Sequence, residues 1–191
     1  MKHHPFRTAI TIAALACSVF AYAARPRLVV NIVVSSMRAD DLDRYAANFS
    51  NGGFRRLTEG GAVFTDASYD YMQTTTPVSL ATISTGAMPS THGVVADRWF
   101  DYVGNKSVSL IDDAKEQSVN YSGGSSGYSP RNLTAQTIGD AAALHDARSR
   151  IATIAVDPLS AIVMAGRTGE VYWMETVQSA WTTSSDYTKE L

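Results

Sequence analysis

Apolar residues fall in short runs separated by polar and glycine-containing segments, a pattern typical of alternating strands and helices. The first run, residues 28–34, is almost continuous and rich in β-branched side chains, as in a strand buried on both faces of a parallel sheet. Residues 151–156 repeat this pattern, and residues 171–174 with 180–184 indicate a hairpin. Residues 134–144 carry apolar side chains at helical spacing. The pattern therefore predicts an α/β fold, with a mostly parallel sheet and helices on both faces.

Weaker signals predict several shorter elements between these segments. They are helices at 37–42, 54–57 and 160–164, strands at 62–64, 94–101 and 105–113, and an exposed Gly/Ser-rich loop over 120–130.

A run of three threonines, Thr74 to Thr76, precedes Pro77 and a small, apolar stretch that ends at Gly86. Proline is tolerated in a first helical turn, so the pattern predicts a helix with Thr76 near its N-cap. The free amides of a helix N-terminus can hold a phosphate or a developing oxyanion. A hydroxyl there becomes a nucleophile if its pKa is lowered. An ordinary capping threonine gives the same pattern, so the residues alone leave both interpretations open.

Residues 1–23 have the organisation of a secretory signal peptide. A basic start precedes an apolar stretch too short to anchor in a bilayer, and Ala21-Tyr22-Ala23 gives a small-x-small cleavage site. A lipoprotein signal that ends at Cys17 is the alternative. We therefore expect an exported chain, residues 24–191, in the periplasm or at the cell surface, with no stable membrane span.

Composition narrows the chemistry further. The chain has 191 residues, enough for one domain, and a net charge of −2, which argues against a nucleic-acid partner. Its single cysteine is Cys17, so the expected mature chain has no disulfide and no thiolate metal site. After the leader only His92 and His145 remain. His92 lies in a Pro-x-x-His-Gly turn, for which we expect a structural role.

Several segments resemble the alkaline phosphatase superfamily. Residues 33–40, the stretch 76–86, and Pro89 with His92-Gly93 resemble its nucleotide pyrophosphatase/phosphodiesterase branch and the Thr-nucleophile alkaline phosphatases of Bacteroidetes. Residues 129–133, 137–140 and 187–191 are similar to the same phosphatases. The resemblance implies two zinc ions at the carboxyl edge of the sheet, a covalent phospho-threonine, and a small phosphate ester as substrate.

Carried over by position, the resemblance makes Thr76 the nucleophile and a zinc-contacting group. Ser35 stands where the family has a zinc-binding Asp, and Asp97 where it has a phosphate-binding Asn. Asp157 and Leu159 stand where it has the Lys and Arg that clamp the phosphoryl group. A hydroxyl poorly replaces a carboxylate that offsets a zinc charge. Asp97 and Asp157 would also place negative charge beside a phosphoryl group.

These departures leave three hypotheses. The first is a zinc-dependent phosphoric ester hydrolase with Thr76 as nucleophile, of which this chain is an N-terminal part that is inactive and without zinc on its own. The alternative is a degenerate, non-catalytic relative that acts as a binding domain. The third is a Ser/Thr hydrolase in which His92 activates Thr76 or Ser79. The substrate, the oligomeric state, and whether Asp97 and Asp157 hold another cation stay open.

Overall fold

The computed structural model describes residues 26–120 and 126–191. It divides into two compact units, Met1–Arg56 and Leu57–Leu191. The predicted signal peptide, with Cys17, lies outside the described residues. Within 26–120 and 126–191, no helix is long and apolar enough to cross a membrane.

The described part of the first unit contains little regular structure. It has a short helix α1 (Asp41–Arg44), a 3-10 turn (Ala46–Asn48) and the start of helix α2 (Phe54–Gly60). Phe49 and Phe54 pack with ring centroids 5.0 Å apart.

The strand predicted at 28–34 does not form. Its side chains are exposed, Leu28 by 78% and Ile32 by 76%, and no described strand pairs with it. The strand predicted at 62–64 is also absent, and Phe64 is 84% exposed. A β-branched run needs a neighbouring strand for its backbone hydrogen bonds, and neither segment has one in the described part of the chain.

The second unit holds the remaining elements. Its helices are α3 (Thr76–Thr85), α4 (Pro89–His92), α5 (Ile138–His145) and α6 (Pro158–Ala165). Its strands are β1 (Arg98–Asp101), β2 (Lys106–Ser109), β3 (Asp112–Val119), β4 (Ser126–Tyr128), β5 (Ala152–Ala155), β6 (Glu170–Glu175) and β7 (Ala180–Ser184). β1 and β2 form a separate hairpin, and the other five strands form one sheet in the order β4-β3-β7-β6-β5. The loop predicted over 120–130 is wrong for Ser126–Tyr128, which pair with β3.

The α/β class is confirmed, but the expectation of a mostly parallel sheet is not. Only β5 and β6 run parallel, joined by α6, and the other pairs among the described strands are antiparallel. Along β6, Val171 and Trp173 alternate into the core. On the opposite face, Ile154 is 67% exposed and Trp181 is 50% exposed. The expected helices on both faces are therefore not observed for this part of the sheet.

The core lies where α3 and α6 pack together beside the β5–β6 face. The largest buried side chain in it is Trp173, whose ring meets Tyr128 edge-on at 5.8 Å. The two helices are also joined by a buried hydrogen bond, in which the Ser84 hydroxyl donates to the Val163 carbonyl at 2.9 Å. These contacts fix the two helices whose first turns carry candidate site residues.

A capping box ties α5 to the end of α6. The Thr137 hydroxyl accepts from the Asp140 amide, and the Asp140 carboxylate accepts from the Thr137 amide. The Thr137 hydroxyl also donates to the Ala165 carbonyl at 2.8 Å. Gly166 turns away at φ 76°, where a Cβ would lie 2.4 Å from an Asp140 oxygen, so no side chain fits there.

Candidate active site

Thr76 opens a buried helix with its own side chain exposed. Thr75 is the N-cap (φ −66°, ψ 159°), so Thr76 is the first helical residue and not the N-cap as predicted. Neither threonine side chain caps the helix. The Thr76 hydroxyl has no hydrogen-bond partner among the described residues. The ordinary capping interpretation therefore loses its support, and the hydroxyl is available to a reagent.

The amides around Thr76 favour an anion. The first intrahelical bond at this end runs from the Ser79 amide to the Thr75 carbonyl at 3.0 Å. Pro77 has no N–H, so Thr76 and Val78 supply the free amides of the first turn. Their partial positive charge would stabilise negative charge next to the hydroxyl. The first turn can thus hold an anion, but it contains no group that lowers the pKa of an alcohol.

Asp97 is exposed in the bend immediately before β1. Its backbone carbonyl accepts from the Leu110 amide at 2.9 Å, which fixes the bend against the residues before β3. No hydrogen bond or ion pair to its carboxylate is found in the described segments. Asp97 is therefore a free negative charge, and it cannot donate to a phosphate oxygen as an amide would.

Asp157 and Leu159, the positions of the expected phosphate clamp, have structural roles. Asp157 is the N-cap of α6, and its carboxylate accepts from the Ser160 amide at 2.8 Å. Leu159 packs against the core. At these two positions the structure therefore has a helix cap and a partly buried leucine.

Replacing Asp157 with alanine is expected to destabilise the fold by about 1 kcal/mol, because the first turn of α6 loses its cap. Asp157→Asn keeps an oxygen acceptor and should stay within about 0.5 kcal/mol of wild type. Urea unfolding followed by circular dichroism measures both values. Asp97→Ala is the control, since its carboxylate has no partner, and it should change stability by less than about 0.5 kcal/mol. An equal loss in Asp97→Ala and Asp157→Ala would contradict the capping role.

Ser35 lies in the first unit, whereas the other candidate residues lie in the second. It is exposed in a turn in which Ser36 adopts φ 60°. Of the second-unit residues, Thr76 begins α3 and Asp157 immediately precedes α6, and these two helices pack against each other.

The residues present do not fit a two-zinc centre. Nowhere in 26–120 or 126–191 do three His, Cys, Asp or Glu side chains group so that they could hold a metal ion. Ser35 and Thr76 offer only neutral hydroxyls, and His145 is exposed at the end of α5. Zinc sites in proteins are built from thiolate, imidazole and carboxylate ligands. No reaction step through zinc can therefore be derived from these residues.

His92 is fully buried, and both of its ring nitrogens are engaged. Nδ1 accepts from the Val94 amide at 3.1 Å, and Nε2 lies 3.2 Å from the Thr82 hydroxyl. Burial lowers the pKa of His92, partly opposed by a hydrogen bond to its own backbone. With no free nitrogen, His92 cannot activate Thr76 or Ser79, which argues against the third hypothesis. The expected structural role of this histidine agrees with its contacts.

A buried carboxylate that the sequence did not single out is Asp113. It accepts from the Ser129 hydroxyl at 2.8 Å, the Arg131 guanidinium at 3.0 Å and the Lys115 amide at 3.1 Å. Burial acts to raise the pKa of Asp113, but these hydrogen bonds and the positive charges of Arg131 and Lys115 outweigh it and lower the pKa. The motif at 129–133 therefore has a structural role, because Ser129 and Arg131 bind the buried carboxylate of Asp113.

The chain is similar in sequence and in fold to known proteins. The sequence matches the profile of the family "Type I phosphodiesterase / nucleotide pyrophosphatase" over residues 29–190. The alkaline phosphatase PafA of Elizabethkingia meningoseptica is 36% identical over 171 residues, 87% of this chain and 31% of that protein. The alkaline phosphatase PhoV of Synechococcus elongatus is 31% identical over 170 residues, 88% of this chain and 31% of that protein. The crystal structure of wild-type PafA gives a TM-score of 0.84 at 34% identity, over 88% of this chain and 33% of that one.

Fold and sequence together define an α/β protein with the alkaline-phosphatase-like fold. The chain belongs to the type I phosphodiesterase / nucleotide pyrophosphatase family. It spans about a third of the length of the relatives it matches.

Proposed function

We propose that this chain supplies the nucleophile segment of an exported phosphoric ester hydrolase, with Thr76 at the position of attack. One observation carries the proposal: an exposed, unpaired threonine hydroxyl opens a buried helix beside free backbone amides. The first turn would bind the ester phosphate. The Thr76 oxygen would then bond to phosphorus while the bond from phosphorus to the ester oxygen breaks, and the hydroxyl proton would end on the departing alcohol. A PafA variant with the same fold has a threonine, an asparagine, a lysine and an arginine replaced. These are the residue types that the resemblance assigns to the positions of Thr76, Asp97, Asp157 and Leu159.

We further propose that residues 1–191 do not by themselves turn over phosphate esters. A threonine hydroxyl near its ordinary pKa is a weak nucleophile, and activation needs an adjacent base or a metal. The first turn of α3 contains no acidic or histidine side chain, and the described part of the chain contains no group of three His, Cys, Asp or Glu side chains that could hold a metal ion. In the family such activation would come from zinc, which lowers the pKa of a bound hydroxyl. Export is proposed from the leader pattern of residues 1–23.

A second candidate function, a non-catalytic binding domain, is favoured by the two clamp positions. Asp157 caps α6 and Leu159 packs in the core, so neither position retains a group for a phosphoryl ligand. The first candidate is supported by Thr76 and the second by these two residues. Both expect no turnover from this chain alone, so a chimera that carries the rest of a related phosphatase separates them: turnover that depends on Thr76 supports the first candidate, and its absence supports the second.

The purified chain, supplied with zinc, is expected to hydrolyse neither p-nitrophenyl phosphate nor bis(p-nitrophenyl) phosphate above the rate of Thr76→Ala. Elemental analysis after dialysis should find well under one zinc per chain. Thr75→Ala is the matched control, because its side chain makes no capping bond. Zinc-dependent turnover that is lost in Thr76→Ala but kept in Thr75→Ala would contradict the proposed inactivity and support the nucleophile. Equal turnover in all three proteins would remove Thr76 from the mechanism.

A further inference from the structure

The His92 ring joins three segments of the second unit through polar contacts. The Val94 amide donates to Nδ1, Nε2 contacts the Thr82 hydroxyl, and that hydroxyl bonds the Tyr71 hydroxyl at 2.7 Å. Thr82 belongs to α3, His92 ends α4, and Tyr71 precedes α3. A chain of hydrogen bonds therefore runs from the turn after α4, across α3, to the segment that leads into it.

The geometry fixes the tautomer of this ring. An amide N–H can only donate, so Nδ1 carries a lone pair and no proton. A neutral imidazole then has its proton on Nε2, which donates to Thr82. Because the Val94 amide and His92 are both fully buried, water cannot take the place of either partner.

We propose that His92, as the Nε2–H tautomer, is an acid-sensitive latch that fastens α3 to the end of α4 through the Thr82 hydroxyl. A proton added at Nδ1 would point at the Val94 amide, so two donors would face each other and the bond would be lost. The charged ring would also lie in a buried site. Acid therefore breaks the hydrogen bond between the Val94 amide and His92 and releases the ring. α3, which begins at Thr76, then loses its contact with the end of α4 through Thr82.

No charged group offsets this effect in the described surroundings of the ring. α3 contains no Asp, Glu, Lys, Arg or His. The segment that bonds the His92 carbonyl, through the Thr134 amide at 3.2 Å, contains Arg131, which is paired with Asp113. Tyr71 is the titratable group on the hydrogen-bond chain itself. The latch is independent of the proposed catalysis, and its tests need no turnover.

The sign of the pH dependence follows from the contacts. Burial lowers the pKa of His92 below the ordinary value of 6.5. Below pH 6.5 the unfolded chain takes up a proton that the folded chain does not. Stability due to neutral His92 is therefore fully present above pH 6.5 and is lost as the pH falls, by up to about tenfold in the folding equilibrium constant per pH unit.

Nitrogen-15 NMR of the histidine rings in the full chain at pH 8 tests the tautomer directly. The signal that disappears in His92→Gln identifies His92. We expect an unprotonated Nδ1 and a protonated Nε2 for this ring at pH 8, and the same neutral form should still predominate at pH 6.5, because burial lowers the pKa of His92 below that ordinary value. A proton on Nδ1 at pH 8, or a midpoint of His92 protonation at or above pH 6.5, would overturn the proposal.

Unfolding experiments from pH 8 to pH 5 test the latch. Gln at position 92 can supply an amide donor to Thr82 and does not titrate, so the stability ratio of wild type to His92→Gln should fall as the pH falls. The same ratio for His145→Gln, at an exposed position at the end of α5, gives the background effect of replacing a histidine by glutamine, and the fall for His92→Gln should exceed it. A constant ratio for His92→Gln would contradict acid release.

Substitution of Thr82 covers the case in which His92→Gln does not fold. Thr82→Ser keeps the hydroxyl and should keep the Nε2–H signature and the acid sensitivity. Thr82→Val removes the acceptor and should abolish the Nε2–H···O contact while leaving the packing volume similar. If Thr82→Ser and Thr82→Val behave alike in both measurements, the hydroxyl does not fasten α3 and the proposal fails.

Discussion

Trp173→Ala is expected to lower the free energy of unfolding by about 3–5 kcal/mol, which is a large fraction of the stability of a typical domain. The side chain is only 1% exposed and lies on the core face of β6, where it meets Tyr128 edge-on. α6 packs on the same strand. Alanine would leave a cavity beneath the helix that Asp157 caps, and the cost includes both the lost burial and the cavity. Urea unfolding measured by circular dichroism and by Tyr/Trp fluorescence gives the value.

Trp181 provides a matched control in the same hairpin. It pairs with Met174 on the opposite face of the sheet and is 50% exposed. Trp181→Ala should therefore cost roughly 1–2 kcal/mol, well below Trp173→Ala. Trp173→Phe, which keeps an aromatic ring in the core, should fall between the two. A larger effect at Trp181 than at Trp173 would show that the apolar face of β6 is not the one that the structure buries.

Local signals in the sequence were sufficient to predict elements whose backbone hydrogen bonds join residues close in sequence. The helix predicted at 160–164, before Gly166, is found as α6, which starts two residues earlier and ends at Ala165, directly before Gly166. The hairpin predicted at 171–174 and 180–184 is confirmed as β6 and β7. The predicted helices at 54–57 and 134–144 are found as α2 and α5, with α5 starting later, after its Thr137 cap. Each of these elements depends on residues close in sequence.

Elements that need a distant partner were predicted less well. The run 28–34 has strong strand propensity, yet it stays exposed because propensity does not supply a neighbouring strand. β5 is found where 151–156 predicts it, but as an edge strand with Ile154 exposed. The direction of pairing also could not be read from the apolar pattern elsewhere in the sheet, so the antiparallel β3–β7 and β3–β4 contacts were missed. These are long-range properties of the sheet.

The candidate site shows the same division. The helix at Thr76 was predictable from Pro77 and Gly86, but the N-cap was expected at Thr76 and is Thr75, so the predicted start was one residue too late. Asp157 was interpreted from the resemblance as a reversed charge in a phosphate clamp, while Asp-Pro-x-Ser is itself an N-cap signature that the structure confirms. The double engagement of the His92 ring depends on Thr82, ten residues earlier, and no short motif shows it.

Ser35→Asp should have the largest effect on activity when this chain replaces the matching third of the Elizabethkingia alkaline phosphatase, to which it is 36% identical. In this chimera the rest of the fold comes from the Elizabethkingia phosphatase, of which this chain matches 31%. If Ser35 stands at a zinc-ligand position, the hydroxyl leaves a zinc charge unbalanced, and restoring the carboxylate should raise turnover of p-nitrophenyl phosphate by at least about 100-fold. Substituting a residue that contacts a metal ligand, but not the metal, typically changes metal affinity or activity by about 10–100-fold. Substituting the ligand itself should therefore have a larger effect.

Asp97→Asn in the same chimera should add a further gain of about 10²-fold, because a hydrogen-bond donor replaces a negative charge that would face the phosphoryl oxygens. Ser36→Asp is the control for the first change, since it places the same carboxylate one residue away in the same turn. Asp101→Asn is the control for the second, because the amide can preserve the turn bonds to Val103 and Gly104. Thr76→Ala should abolish both gains and Thr75→Ala should not. Equal gains from Ser35→Asp and Ser36→Asp would mean that the added negative charge alone explains the higher turnover. The assignment of Ser35 to a zinc-ligand position would then be wrong.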